Sequence, residues 1–174
     1  MHDAPAVALR FARREDVPQV LAFIRELAQY EQLAHEVIAD EATLEGSLFG
    51  ERPAAEVVLA EVDGEAAGFA LFFHNFSTFL GRRGLYLEDL YVSPRFRGHG
   101  LGRRLMACLA AIAVERGCGR FEWWVLDWNT PAIDFYRALG AVGMDEWTVQ
   151  RVSGDALQAL AREIEPAALP RRDD

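Results

Sequence analysis

The stretch Leu85-Tyr-Leu-Glu-Asp-Leu-Tyr-Val92 is followed, after four residues, by Arg97-Gly-His-Gly-Leu-Gly102. The first stretch is mostly apolar and aromatic and predicts a β-strand, and the second opens a segment with helical periodicity. Glycine has no Cβ, so three glycines at alternate positions let the chain turn sharply and press its N–H groups against a ligand. The positive end of a following helix attracts negative charge to the same place. Together the two stretches predict a strand, an anion-binding loop and a helix.

The spacing of the glycines limits which phosphate ligand this loop can hold. Its G-x-G-x-G pattern differs from the G-x-G-x-x-G of dinucleotide folds, and a P-loop needs Gly-Lys-Ser/Thr. The chain contains no lysine, which also excludes the imine-forming lysine of pyridoxal enzymes. A nucleotide-binding module is therefore a disfavoured alternative. Four arginines around the loop can supply charge-assisted hydrogen bonds to phosphates: Arg95, Arg97, Arg103 and Arg104.

Composition and charge exclude several classes of partner. The chain has 174 residues, 51% of them hydrophobic, which is enough for a globular domain. Its formal net charge of −9 disfavours nucleic acid and favours a cationic small molecule. No apolar run approaches the roughly 20 residues of a membrane span, and no signal-peptide pattern is present, so we expect a cytoplasmic protein without membrane contact. Cys108 and Cys118 lack ligand-type spacing, so no metal site is expected.

Hydrophobic periodicity predicts an α/β fold. Asp63-Gly64 is a strong hairpin signal, and three antiparallel strands in succession are expected around it. The glycine loop and its helix connect two further strands, which are expected to be parallel. The predicted strands cover residues 7–12, 55–62, 66–75, 84–92, 120–126 and 147–152. The predicted helices begin at Asp16, cover residues 40–49, follow the loop as far as Gly117, run from Thr130 to Gly140 and begin near Asp155.

The glycine loop resembles the pyrophosphate motif of the GNAT N-acetyltransferases, Arg/Gln-x-x-Gly-x-Gly/Ala, which grips coenzyme A. The stretches Glu26–Glu31, Leu85–Asp89 and Trp128–Tyr136 resemble their counterparts in the diamine (spermidine/spermine) acetyltransferase branch, in the same order. The resemblance covers about residues 7 to 160. It implies one acetyltransferase domain over residues 1–174, with a core of about residues 7–165 and a polar C-terminal tail. The implied GNAT fold has a mixed, mostly antiparallel sheet with helices on both faces and central parallel strands that splay apart.

Two adjacent carboxylates, Glu88 and Asp89, are candidates for taking a proton from an amine. An alkyl ammonium has a pKa of about 10.4, so little free amine exists at neutral pH and a base is needed. In a regular strand, neighbouring side chains project from opposite faces, so only one of the two is expected to reach a given substrate. Periodicity does not select between them. The resemblance implies that Glu88 is the general base, acting through water. Asp89 is a candidate for acceptor binding, and whether it shares the role of Glu88 is left open.

Tyr136 is the candidate general acid. A phenol stays protonated at neutral pH and can donate its proton to a leaving thiolate. On the residues alone, a tyrosine next to Phe135 on a helix is more often part of the core. The resemblance matches Tyr136 to the tyrosine that acts as general acid in the family.

The resemblance also implies the ligand contacts. Acetyl-CoA is the expected co-substrate, and a homodimer is the expected assembly. The acceptor amine is expected to contact Tyr30, Glu31, Glu88 and Asp89. The expected coenzyme contacts are Leu90, Tyr91, Val92, Arg97, Gly98, His99, Gly100, Leu101, Gly102, Arg103, Asn129, Pro131 and Tyr136.

The segment between Phe73 and Gly84 departs from the diamine branch. It carries Arg82 and Arg83 in the region where the eukaryotic enzymes have an aspartate and a tryptophan facing the polyamine. The acceptor is therefore left open among polyamines, diamines, lysine-like amino acids and other primary amines. The expected reaction is direct attack of the amine on acetyl-CoA in a ternary complex. The alternatives are a non-catalytic acyl-CoA sensor and a protein or peptide N-acetyltransferase.

Overall fold

A mixed five-stranded sheet organises the computed structural model, which describes residues 5–170. The strands lie side by side in chain order, the first four antiparallel and the last two parallel. The hairpin at Asp63 and Gly64 joins the second and third strands, as predicted. The strands are β1 (Val7–Phe11), β2 (Glu56–Val62), β3 (Glu65–Ser77), β4 (Arg82–Val92) and β5 (Phe121–Trp123).

Five α-helices accompany the sheet in the described residues: α1 (Val17–Tyr30), α2 (Glu41–Phe49), α3 (Leu101–Glu115), α4 (Thr130–Ala138) and α5 (Gly154–Ala161). Each lies where periodicity predicted a helix. The chain divides into two compact units, one ending at Ile133 and the other beginning at Asp134. The sheet and the first three helices belong to the first unit.

The two faces of the sheet bury different side chains against different helices. Leu59 and Leu71 belong to the core cluster that contains most of the buried residues of α1 and those of α2. Because strand side chains alternate, Val58 and Phe72 point to the other face, where α3 packs on β2, β3 and β4. Val58 and Phe72 are almost fully buried there. The prediction of helices on both faces is confirmed.

The parallel pairing between β4 and β5 is short. It covers only Leu85 to Leu87 on β4, whereas the pairing of β4 with β3 continues to Val92. The predicted strand 120–126 is therefore reduced to Phe121–Trp123. The side of β4 that faces β5 loses its partner strand just before Glu88. The two strands part there, as the resemblance implied.

The predicted strand from Trp147 to Val152 is wrong. This segment lies between α4 and α5 without regular structure, and Trp147 is 71% exposed. A strand needs a neighbour to pair its N–H and C=O groups, and the second unit has no other strand within residues 134–170. As a result β5 forms an edge of the described sheet, so the parallel pair is not central as expected.

Candidate active site

A β-bulge in β4 brings the two candidate carboxylates to one face of the sheet. Leu71 pairs with Asp89 and the next residue of β3, Phe72, pairs with Leu87, so Glu88 is an extra residue on β4. Tyr86 and Glu88 share a face by alternation, and the extra residue returns Asp89 to that same face. The expectation that Glu88 and Asp89 project from opposite faces is therefore wrong, because it assumed an uninterrupted strand.

Glu31, Glu88 and Asp89 form a carboxylate cluster. Burial raises the pKa of Asp89 to about 7, and the negative charges of Glu88 and Glu31 add to this effect. Burial also raises the pKa of Glu31, which follows the C-terminus of α1. Glu88 itself is exposed at the bulge. Glu31 and Glu88 are thus both within electrostatic reach of Asp89, and together the three carboxylates can attract and orient a cation.

The raised pKa of Asp89 makes a prediction about stability. An aspartate whose pKa is about 7 in the fold and about 3.8 when free costs stability as the pH rises through that window. The cost is fully present above pH 7 and disappears below the unfolded pKa. We expect Asp89→Asn to increase the free energy of unfolding at pH 8 by about 1–2 kcal/mol, after discounting for its partial exposure. Urea unfolding at pH 5 and pH 8 measures the difference, which must grow with pH.

The control for this measurement is Asp127→Asn, since Asp127 is exposed. Its replacement should leave stability nearly unchanged at both pH values. A stability gain of the same size at pH 5 and pH 8 in Asp89→Asn would contradict the assignment of the gain to ionisation.

The glycine loop and the start of α3 form an anion-binding site. Gly98 and Gly100 have φ angles of 82° and 75°, in the left-handed region that favours glycine. The first helical hydrogen bond runs from the N–H of Arg104 to the carbonyl of Gly100. The N–H groups from Leu101 to Arg103 precede this bond and are available to an anion. This geometry fits a diphosphate.

The rest of β4 leads from the carboxylate cluster to this loop. Leu90, Tyr91 and Val92 lie beyond the last residue paired with β5 and remain paired with β3. They can therefore present backbone groups to a ligand that lies along the strand, as an added strand does. The predicted coenzyme contacts on β4 and on the loop are thus consecutive along one path.

Tyr30 lies beside two predicted coenzyme-binding residues. Its ring centre is 5.5 Å from the guanidinium carbon of Arg97. Its hydroxyl is 3.2 Å from Oδ1 of Asn129 and donates to it. The same Oδ1 accepts from the N–H of Ala132 at 3.4 Å, so Asn129 caps α4.

Glu26 contacts Tyr91, a predicted coenzyme-binding residue, although the sequence predicted no role for Glu26 itself. The hydroxyl of Tyr91 donates a hydrogen bond to Oε2 of Glu26, with 2.6 Å between the oxygens. Glu26 and Tyr30 lie four residues apart on α1 and therefore on the same side of the helix. The four-residue spacing in the stretch Glu26–Glu31 could have indicated that the two side chains act together. Only the fold identifies Tyr91 as the partner of Glu26.

Tyr136 belongs to the second unit. It lies on α4, with its ring centre 5.2 Å from that of Phe135. Its carbonyl accepts hydrogen bonds from the N–H groups of Leu139 and Ala141. Its role as general acid stays a prediction.

A separate pocket of about 620 Å³ lies in the first unit, at the end of the sheet away from the glycine loop. It contains none of the predicted site residues. Phe11, Ala12, Leu48, Phe49, Pro53, Ala54, Ala55, Glu56, Val57, Phe73 and His74 line it.

Within residues 5–170, no group of three or more His, Cys, Asp or Glu side chains is arranged to hold a metal ion. No helix in the part of the chain that the structure describes is both long and apolar enough to cross a membrane.

The site combines a mixed sheet whose parallel strands part, a carboxylate cluster on β4 and an anion-binding loop after β4, and this combination fits an acyltransferase. Comparison with known protein families identifies the particular family: the model of the acetyltransferase (GNAT) family matches residues 20–141. The chain belongs to this family and is an N-acetyltransferase.

Several known proteins are similar over nearly their whole length. The thialysine N-epsilon-acetyltransferase of Sus scrofa is 38% identical over 167 residues, which cover 90% of this chain and 98% of that protein. The L-ornithine N5-acetyltransferase of Arabidopsis thaliana is 34% identical, covering 87% of this chain and 86% of that protein. Among solved structures, an integron cassette protein of V. cholerae has a TM-score of 0.76 and 28% identity, covering 90% of this chain and 98% of that one.

Proposed function

We propose that this enzyme transfers the acetyl group of acetyl-CoA to the primary amine of a small molecule, in a ternary complex. The observation that carries the proposal is the bulge in β4. It exposes Glu88 beside Asp89 at the point where β5 stops pairing. The same strand continues into the anion-binding loop, so a donor on the loop and an amine at the carboxylate cluster meet on one strand.

The loop and the end of β4 are suited to coenzyme A. The free N–H groups of the first turn of α3 and the guanidinium of Arg97 can bind the diphosphate. The unpaired side of β4 from Leu90 to Val92 can bind the pantetheine arm. When bound there, acetyl-CoA supplies the acetyl group as a thioester.

The carboxylate cluster performs the acceptor chemistry. Asp89 and Glu31 hold the ammonium form of the acceptor by charge. Glu88, which is exposed, accepts a proton from the amine through a water molecule. The amine then attacks the thioester carbonyl, and the thiolate leaves. Tyr136 donates a proton to the departing sulfur, and its phenolate is reprotonated, through solvent, by the second proton that the nitrogen releases as the amide forms.

We further propose that residues 1–174 form a single cytoplasmic domain and that the protein is a homodimer. The family match supports one domain, because it runs from residue 20 to residue 141 and crosses the boundary after Ile133. Exposed apolar side chains in the second unit support self-association, since such side chains are often covered by a partner. Trp147 is 71% exposed, Val142 82% and Met144 62%.

The proposed acceptor carries its amine at the end of an alkyl chain. Two of the similar proteins are named for thialysine and for the N5 position of L-ornithine, both terminal amines of amino acids. Another is named as a spermidine/spermine acetyltransferase-like protein. The cluster of three carboxylates supports the same class, because it attracts a protonated amine.

A coenzyme A release assay tests the proposal. The panel contains thialysine, lysine, ornithine, diamines, polyamines, aminoglycosides and short peptides, and calorimetry measures acetyl-CoA binding in parallel. We expect binding of acetyl-CoA and turnover with terminal alkyl amines. Binding without turnover on any amine would indicate an acyl-CoA sensor, and turnover on peptides alone would indicate a peptide acetyltransferase. Absence of acetyl-CoA binding would contradict the proposal as a whole.

A further inference from the structure

Glu26 and Tyr91 connect α1 to β4 through a hydrogen bond between an exposed glutamate and a buried tyrosine. Tyr91 is 5% exposed, and its hydroxyl donates to Oε2 of Glu26 at 2.6 Å. Burial, assisted by this bond, raises the pKa of Tyr91 to about 12. The phenol therefore keeps its proton at neutral pH and remains a donor. The bond fixes the position of the Tyr91 ring.

The guanidinium of Arg97 lies near two tyrosine rings. Its central carbon is 5.5 Å from the ring centre of Tyr30 and 5.7 Å from that of Tyr91. Both distances are within the range of a cation–π interaction. The Nε of Arg97 also donates to the carbonyl of Val92 at 2.9 Å. These contacts restrict a long side chain that is otherwise exposed.

We propose that Glu26 and Tyr30 are positioning residues for the coenzyme, which orient Arg97 toward the diphosphate before it binds. Tyr30 acts directly on the guanidinium, and Glu26 acts through Tyr91. The inference rests on the proposed function, because it takes acetyl-CoA as the donor. An arginine held in place loses less rotamer freedom on binding, so affinity for the diphosphate rises. Tyr30 thereby serves the donor side, although the resemblance placed it near the acceptor.

Comparing two acetyl donors distinguishes the positioning of Arg97 from a general effect on the fold. Acetyl-CoA carries the diphosphate, and acetylpantetheine lacks it. For each variant, kcat/KM is measured with both donors at a fixed acceptor concentration, and their ratio is compared with that of the wild type. Loss of Arg97 positioning lowers the ratio, whereas damage to the fold or to acceptor binding lowers both values together.

The Tyr30 variants test the ring contact. We expect Tyr30→Leu to lower the donor ratio about threefold to tenfold, mainly through a higher KM for acetyl-CoA. Tyr30→Phe keeps the ring and loses only the hydroxyl, so its ratio should stay within about twofold of the wild type. An unchanged ratio in Tyr30→Leu would overturn the inference, as would equal losses in both variants.

The Glu26 variants test the indirect contact. Glu26→Ala removes the acceptor of the Tyr91 hydroxyl, and Tyr91→Phe removes the hydroxyl itself with its contacts to Glu26 and Arg97, so each should lower the donor ratio about twofold to fivefold. The double variant should be no worse than Tyr91→Phe alone, since Glu26 acts through the Tyr91 hydroxyl. Gln29→Ala, an exposed position on the same helix, is the control and should keep the wild-type ratio. Additive losses would overturn the indirect route.

The outcomes distinguish the inference from the function on which it rests. A wild-type protein that neither binds nor uses acetyl-CoA would contradict the proposed function. A wild-type protein that uses acetyl-CoA, with unchanged donor ratios in Tyr30→Leu and Glu26→Ala, would contradict the inference alone. Circular dichroism of each variant verifies that the compared proteins are folded.

Discussion

Glu88→Gln is expected to lower kcat about 100- to 1,000-fold with a terminal alkyl amine, while the KM for acetyl-CoA stays within about twofold. Glutamine keeps the size of the side chain at the bulge but cannot accept the proton of the ammonium. Less than about one per cent of such an amine is deprotonated at pH 7. Without a base, the reaction depends on that small fraction.

The pH dependence identifies the cause of this loss. The free fraction of the acceptor rises as the pH approaches its pKa of about 10.4, so the ratio of wild-type to variant rates should shrink between pH 7 and pH 9.5. A constant ratio over that range would contradict the role of Glu88 as base.

Glu122→Gln is the matched control for Glu88→Gln. Glu122 lies on the neighbouring strand β5, where its Oε1 accepts from Asn75 at 2.7 Å and lies 3.2 Å from Nε of Arg120. A carboxylate engaged in this way is not available as a base. We expect a change in kcat of less than about threefold in this control. A large loss of kcat in Glu122→Gln and none in Glu88→Gln would identify Glu122 on β5 as the base.

Gly100→Val is expected to weaken acetyl-CoA binding about tenfold to 100-fold. Gly100 has a φ of 75° and caps α3, and a β-branched residue adopts this conformation only with strain. A Cβ at this position meets no atom within 4 Å, so the effect comes from the backbone and not from a clash. The strained loop would withdraw its N–H groups from the diphosphate. Calorimetry with acetyl-CoA measures the change.

Two variants serve as controls. One tests the effect of the added volume of valine, and the other tests the loss of glycine at position 100. Gly46 lies within α2, where a Cβ also meets no atom within 4 Å, so Gly46→Val should leave coenzyme affinity unchanged. Gly100→Asn should bind better than Gly100→Val, because asparagine tolerates the left-handed region. Equal affinities of Gly100→Val and the wild type would show that the loop conformation does not govern binding.

Local sequence patterns predicted most of the first unit. Apolar alternation located β1 to β4, helical periodicity located α1 to α3, and the glycine spacing located the anion-binding loop. These features depend on residues close together in the chain. The strand predicted from Trp147 to Val152 failed because its pattern required a partner strand that the second unit does not contain within residues 134–170.

The bulge at Glu88 escaped prediction for a different reason. It is a mismatch between β3 and β4, so neither strand carries it alone. The approach of Glu31 to Asp89 joins residues far apart in the chain. The bond between Glu26 and Tyr91 also joins distant residues. The sequence could nominate Glu88, Asp89 and Glu31 by resemblance, but not the bulge that sets two of them on one face.

Helix α1 ends at Tyr30, immediately before Glu31, and carries Glu26 one turn earlier. In the proposed reaction, α1 would therefore support both substrates, the amine through Glu31 and the coenzyme through Tyr30 and Glu26. A displacement of this helix would change the binding of both substrates together.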